Sequence, residues 1–123
     1  MNGVVVLAHG SREIQAAEAW TSLEQAVRQR LDGNARIVFQ FGMDGLPDAL
    51  DTLAGNGADA ITILPYFLFT GFHLKHTVPR LMRVWQEAHP KVRLSLAPAL
   101  GEDPRFAALL AERIARDMDV DKP

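Results

Sequence analysis

The sequence has no cysteine, and that absence excludes disulfide frameworks, thiolate metal sites and cysteine nucleophiles. It has no long hydrophobic run either. The apolar stretch nearest the start, Val4 to Ala8, is preceded by no lysine or arginine and is too short for a signal peptide or a membrane span. A soluble cytoplasmic protein, with no membrane partner, is the expectation. Charge of one sign is also scarce: 13 basic against 15 acidic residues leave a net charge of −2, which argues against a protein built to coat nucleic acid. Linkers, repeats and low-complexity segments are missing as well. What remains is a 123-residue chain, 48% hydrophobic and 23% charged, with enough apolar content to rule out disorder and enough length for one core. The expected organisation is a single domain over 1–118, followed by a frayed tail over 119–123.

Three segments are β-branched or otherwise apolar and end near glycine or proline: Val4–Ala8, Arg36–Phe41 and Ala60–Leu64. Val92–Ala97 is a fourth, less cleanly alternating. Helical spacing fills the intervals. Ala16, Trp20, Leu23, Val27 and Leu31 form one stripe in Glu13–Leu31, which Asp32-Gly33-Asn34 then stops. Leu46–Leu53, Val78–Ala88 and Phe106–Met118 are the other helices, each with a proline at or near its start. The order βαβαβαβα predicts an α/β fold, a three-layer αβα sandwich around a mainly parallel four-stranded sheet. Ligands of such sheets gather at the carboxyl ends of the strands. His9–Arg12, Gln40–Asp44 and the 65–80 segment PYFLFTGFHLKHTVPR should therefore share one rim.

Those loops hold three of the four histidines, His9, His73 and His76; the fourth, His89, falls at a predicted helix end and reads as a cap. Imidazoles on a common rim are natural ligands for cobalt, nickel, iron or zinc. Ser11 reads either as a nucleophile or as the cap of the following helix, and Gly10-Ser11-Arg12 lacks the G-x-S-x-G elbow. Arg12, unfavourable in a first turn, suggests either an anionic ligand or an ion pair with Glu13 or Glu102. Lys75, Arg80 and Arg83 are readable as anion contacts or as a solvated helix face. The aromatic run FLFTGF (67–72) beside Tyr66 could pack in the core or make a flat wall for a planar ligand. A histidine phosphatase also follows its first strand with His-Gly, but it wants an arginine just before the histidine, where this chain has Ala8.

The opening VVLAHGSR resembles the N-terminal signature of the small CbiX-type chelatases, the sirohydrochlorin cobaltochelatases and their ferrochelatase relatives. GADAITILPYFLFTGFHLKHTVP (57–79) is similar to their second signature, and LAPALGEDPRFAALLAERI (96–114) to their C-terminal segment. The resemblance implies a chelatase-like fold and insertion of Co²⁺, Fe²⁺ or Ni²⁺ into sirohydrochlorin, towards cobalamin or sirohaem, with no organic cofactor. It implies a half-length chain acting as a homodimer, with the active site in a cleft between domains. It puts the metal-handling and catalytic roles on His9 and His73. The chain departs from the family pattern in three places: Gln40 in place of a glutamate, Gly71-Phe72 in place of a doubled glycine, and His76-Thr77 in place of acidic residues. His76 would serve as a third nitrogen ligand if it turns inward. Ser11, Arg12, Gln40, Phe69, Gly71, Phe72, Lys75 and Arg80 are the expected substrate contacts. The alternative from another class is a non-catalytic carrier of a tetrapyrrole or metal ion, motivated by Gln40.

Overall fold

In a computed structural model of the chain, residues 1–10, 14–31 and 36–120 are described. Strand β1 (Asn2–Ala8) lies at the centre, hydrogen-bonded in parallel to β2 (Ile37–Phe41) on one side and β3 (Ala60–Pro65) on the other; β4 (Arg93–Leu96) extends the sheet beyond β3. The spatial order β2-β1-β3-β4 matches the expected parallel α/β sheet. Between the strands run α1 (Ile14–Arg30), α2 (Leu46–Gly55) and α3 (Val78–Ala88), and α4 (Pro104–Val120) follows β4. Short 3₁₀ turns at Met43–Gly45 and Leu100–Glu102 precede α2 and α4.

Period-two alternation sends Val5 and Leu7 of β1, with Ile61, Ile63 and Pro65 of β3, to one face, where they are fully or almost fully buried. Leu46, Ala49, Leu50 and Leu53 of α2 and Val78 and Trp85 of α3 cover that face. Apolar residues three and four apart on α2 make one stripe, and it seals the centre of the sheet. Trp85 keeps its indole N–H satisfied by donating to the Asp51 carboxylate at 2.9 Å, which ties α3 to α2. His89 ends α3 as expected, with Nδ1 2.9 Å from the Trp85 carbonyl and its ring stacked on Trp85. On the opposite face α1 packs through Trp20 against Phe39 and Phe41 of β2, at centroid distances of 5.6 and 6.1 Å.

Two elements differ from the sequence expectation. The segment before α3 is a π-turn, His73–Thr77, which runs directly into the helix. Its hydrogen bonds span one residue more than those of an α-helix, a difference the hydrophobic pattern does not report. The three-layer sandwich expected from the sequence has helices covering both faces of the sheet, but on α4 Leu109, Leu110, Ile114 and Met118 are 50–65% exposed, and the helix packs chiefly against the 3₁₀ turn before it. The helix itself is well started. Asp103 accepts from the Arg105 backbone N–H at 2.9 Å and from its guanidinium at 2.8 and 3.1 Å, and this fork holds the Asp103 carboxyl well below its usual range, at about 2. The helix continues through residue 120, and 121–123 lie outside the described residues.

Candidate functional site

Backbone bonds draw the carboxyl ends of the strands together. Gly42 donates to the Ala8 carbonyl at 2.9 Å and Tyr66 to the Leu7 carbonyl at 2.7 Å, so the loops leaving β2 and β3 are both tied to the end of β1. His9 emerges at this junction. Its ring lies 4.6 Å from that of Phe67 and 4.9 Å from that of His73, the last contact edge-on at 70°. His73 reaches this point because the π-turn opens α3 beneath it. An ion about 2.1 Å from one nitrogen of each ring, with a ligand angle of roughly 90–110°, would put the centroids ~4.6–5.3 Å apart. The observed centroid spacing of 4.9 Å falls in that window.

A cavity of about 340 Å³ opens over the pair, lined by His9, Tyr66, Phe67, Leu68, Phe69, Gly71, Phe72 and His73. Phe69 is 80% exposed and Phe72 69%, leaving an apolar wall that water does not favour. A second cavity, about 360 Å³, adjoins on the α1 side and is lined by Ala8, His9, Ala19, Trp20, Leu23, Phe41 and Tyr66. His9 and Tyr66 belong to both, so the imidazole stands between two aromatic-walled spaces.

The C-terminal 3₁₀ turn braces the loop from behind. Gly101 donates to the Phe67 carbonyl at 2.9 Å, and the Thr70 hydroxyl donates to the Glu102 carboxylate. A Cβ on Gly101 would strike the Leu68 carbonyl, so only glycine allows these two backbones to approach so closely.

Not every expected residue joins the site. Phe69, Gly71 and Phe72 line the cavity with the histidine pair. Ser11 and Arg12 lie outside the described residues. Gln40 turns its amide onto its own loop, donating to the carbonyls of Phe41 at 3.1 Å and Gly42 at 3.2 Å, and it fills the space left by the missing side chain of Gly45. That makes it a brace for the turn after β2. The His76 ring packs on Phe72 at 4.9 Å, and among the described residues no group of three His, Asp or Glu side chains is placed to hold an ion. The inward-turned third ligand expected at His76 is thus not formed within one chain. Lys75 and Arg80 are exposed on the π-turn and on α3, outside the cavity lining.

Sequence reasoning missed Trp20 and Phe41 as cavity residues. Trp20 had been absorbed into the core stripe of α1, while Phe41, as the last residue of a strand, was open to the same strand-end argument that found His9.

The chain has counterparts among known proteins. The CbiX family model matches residues 3–117. A sirohydrochlorin cobaltochelatase of Sulfurisphaera tokodaii is 27% identical over 114 residues, covering 93% of this chain and 92% of its own length. A sirohydrochlorin ferrochelatase of Priestia megaterium is 27% identical over 124 residues, and there 99% of this chain spans only 46% of the relative. Among solved structures, a CbiX protein described under cobalamin (vitamin B12) biosynthesis, from Marinobacter aquaeolei VT8, superposes with a TM-score of 0.78 at 21% identity, covering 97% of this chain and 96% of the other. That likeness establishes the fold, and the match over nearly the full length establishes the lineage: the chain belongs to the CbiX family.

Proposed function

We propose that this protein is a chelatase that inserts a divalent metal ion, Co²⁺ or else Fe²⁺ or Ni²⁺, into sirohydrochlorin. The observation that carries the reading is the edge-on pair of His9 and His73, 4.9 Å apart at the mouth of an aromatic cavity. Insertion demands three things: a held macrocycle, removal of two pyrrole protons, and delivery of a partly dehydrated ion. Bare nitrogens of the two imidazoles ligate the ion, and the same nitrogens accept pyrrole protons as the ion leaves them for the ring. Acid that protonates either ring competes with the metal, so the pair works only in its neutral form. Phe69 and Phe72 offer faces to the macrocycle, while Tyr66 and Trp20 shape the space on the far side of His9. Names of the relatives support the substrate, and the polar, charged nature of both substrates suits a cytoplasmic setting.

A homodimer is part of this proposal. The chain spans about half of the Priestia relative, so a second copy stands where that protein has its other half. The apolar stripe of α4 supplies a surface for it. Leu109, Leu110, Ile114 and Met118 are exposed in the single chain, and Val4, Val6 and Leu64 on the α1 face of the sheet are only half-buried. A stable interface buries about 1,200–2,000 Å² in total, and these side chains supply an apolar surface for it. The open side of the histidine cavity would then face the partner.

The test is purified protein, sirohydrochlorin and each metal in turn, with metallation followed by absorbance. Wild type should exceed the spontaneous rate, and His9→Ala and His73→Ala should each lose about 100-fold or more. Rates equal to the spontaneous reaction, unchanged by His9→Ala, would overturn the enzymatic reading. Saturable one-to-one binding without turnover would select a carrier in its place.

A further inference from the structure

Thr77 has no part in the contacts described so far, yet its Oγ1 lies 3.0 Å from Nδ1 of His73. The two residues are the first and last of the π-turn, and both are half-buried, with Leu74 and Val78 buried beside them. We infer that Thr77 is a positioning residue for metal delivery, which holds the His73 ring in the tautomer whose Nε2 is free to ligate. The inference rests on the chelatase reading for its purpose, but its geometry stands apart from it.

A neutral imidazole carries one proton on two nitrogens, and the bare nitrogen is the only ligand it has. With nothing at either position, the proton divides between them and the ring turns about its Cβ–Cγ bond. Where the Thr77 hydroxyl oxygen accepts a hydrogen bond from Nδ1–H, the proton stays on Nδ1, Nε2 is left bare and the rotation stops. The π-turn puts the acceptor in place through the backbone, since Val78, the next residue, is fully buried and anchors the turn to the core. The hydroxyl also adds no charge. A carboxylate in the same place would bind the ion's ligand shell more strongly but would also favour the protonated ring. Other titratable groups near this ring are His9 across the cavity and Lys75 and His76 on the same turn; the His76 ring is taken up by Phe72.

The experiment compares wild type with Thr77→Ser, which keeps the hydroxyl, and Thr77→Val, which keeps the shape. Imidazole ¹⁵N shifts of the metal-free protein, recorded at about pH 8, read the tautomer of His73 directly. Binding of Co²⁺ alone, by calorimetry, reads the consequence. Wild type and Thr77→Ser should hold the proton on Nδ1 and bind Co²⁺ within about threefold of each other. Thr77→Val should show both tautomers and bind roughly 10- to 100-fold more weakly, the usual effect of losing such a partner. A proton on Nε2 in wild type would overturn the inference, as would a Thr77→Val protein that keeps the wild-type tautomer and affinity. If Thr77→Val does not fold, the wild-type and Thr77→Ser spectra still decide it. Both overturning results leave the chelatase assay unaffected, and a failed chelatase assay leaves the spectra to be read on their own.

Discussion

Among the described residues, Asp103 has its carboxyl held well down by Arg105. Its carboxyl is held at about 2 by the side chain and then the backbone of Arg105, against an ordinary value of 3.8. A lowered folded value means the contribution to stability is fully present above the unfolded value and is lost as pH falls towards 2. Amide protection factors in the first turn of α4 should therefore hold from neutrality to pH ~4 and then drop as the pH is lowered towards 2. Asp103→Ala should show the reduced protection, roughly fivefold, at neutral pH already. Protection unchanged in the variant would mean the cap is ornamental. The same scale explains Gln40. A residue in the register of a family carboxylate was read as a substrate contact, because its position on β2 was legible and the direction of its side chain was not. The space that receives it belongs to Gly45, five residues on, and sequence spacing gives no sign of that meeting.

At the scale of elements, Gly101 ties the C-terminal turn to the loop over the histidines. Gly101→Ala forces a Cβ into the Leu68 carbonyl, and backbone cannot yield as a side-chain tip can. We expect a loss of about 1–3 kcal/mol in denaturant unfolding, with Co²⁺ binding weakened because Phe67 and its neighbours shift. Gly55→Ala is the control: a Cβ there meets nothing, and unfolding should be unaffected or slightly harder. Strands and helices of this size were legible because each carries its own period, two or near 3.6, and because the crossovers between parallel strands need helices. Val78–Ala88 agrees with the observed helix at both ends. The π-turn was not legible, since His73-Leu74-Lys75-His76-Thr77 suits an α-helix equally well. The convergence of His9 and His73 followed from strand-end logic, whereas the aromatic company of His9 on the α1 side did not, because Trp20 has the spacing of a core residue.

At the scale of the whole molecule, α4 presents an apolar face that the single chain leaves exposed. Its amphipathic pattern was plain in the sequence, but a pattern states that a face is covered without stating by what. The double variant Leu110→Glu, Ile114→Glu puts charges on the stripe at sites that are half-exposed within one chain. Sedimentation should show a dimer for wild type and a folded monomer for the variant, with chelatase activity reduced at least tenfold if the partner closes the cavity. A variant that stays dimeric would move the interface elsewhere. A wild-type monomer would remove the second copy from the proposal and leave α4 to fold back on its own sheet.

The two tryptophans sit at different ends of the chain's business. Trp85 lies flat against His89, 3.9 Å away and within 10° of parallel, while Trp20 borders the cavity on the α1 side of His9. Trp85 takes no part in either cavity lining. Trp20 should instead surrender its excitation to any bound tetrapyrrole, whose absorption overlaps indole fluorescence. Ultraviolet excitation thus reports a ligand beside His9, and Trp20→Phe shows how much of that signal belongs to Trp20 and how much to Trp85.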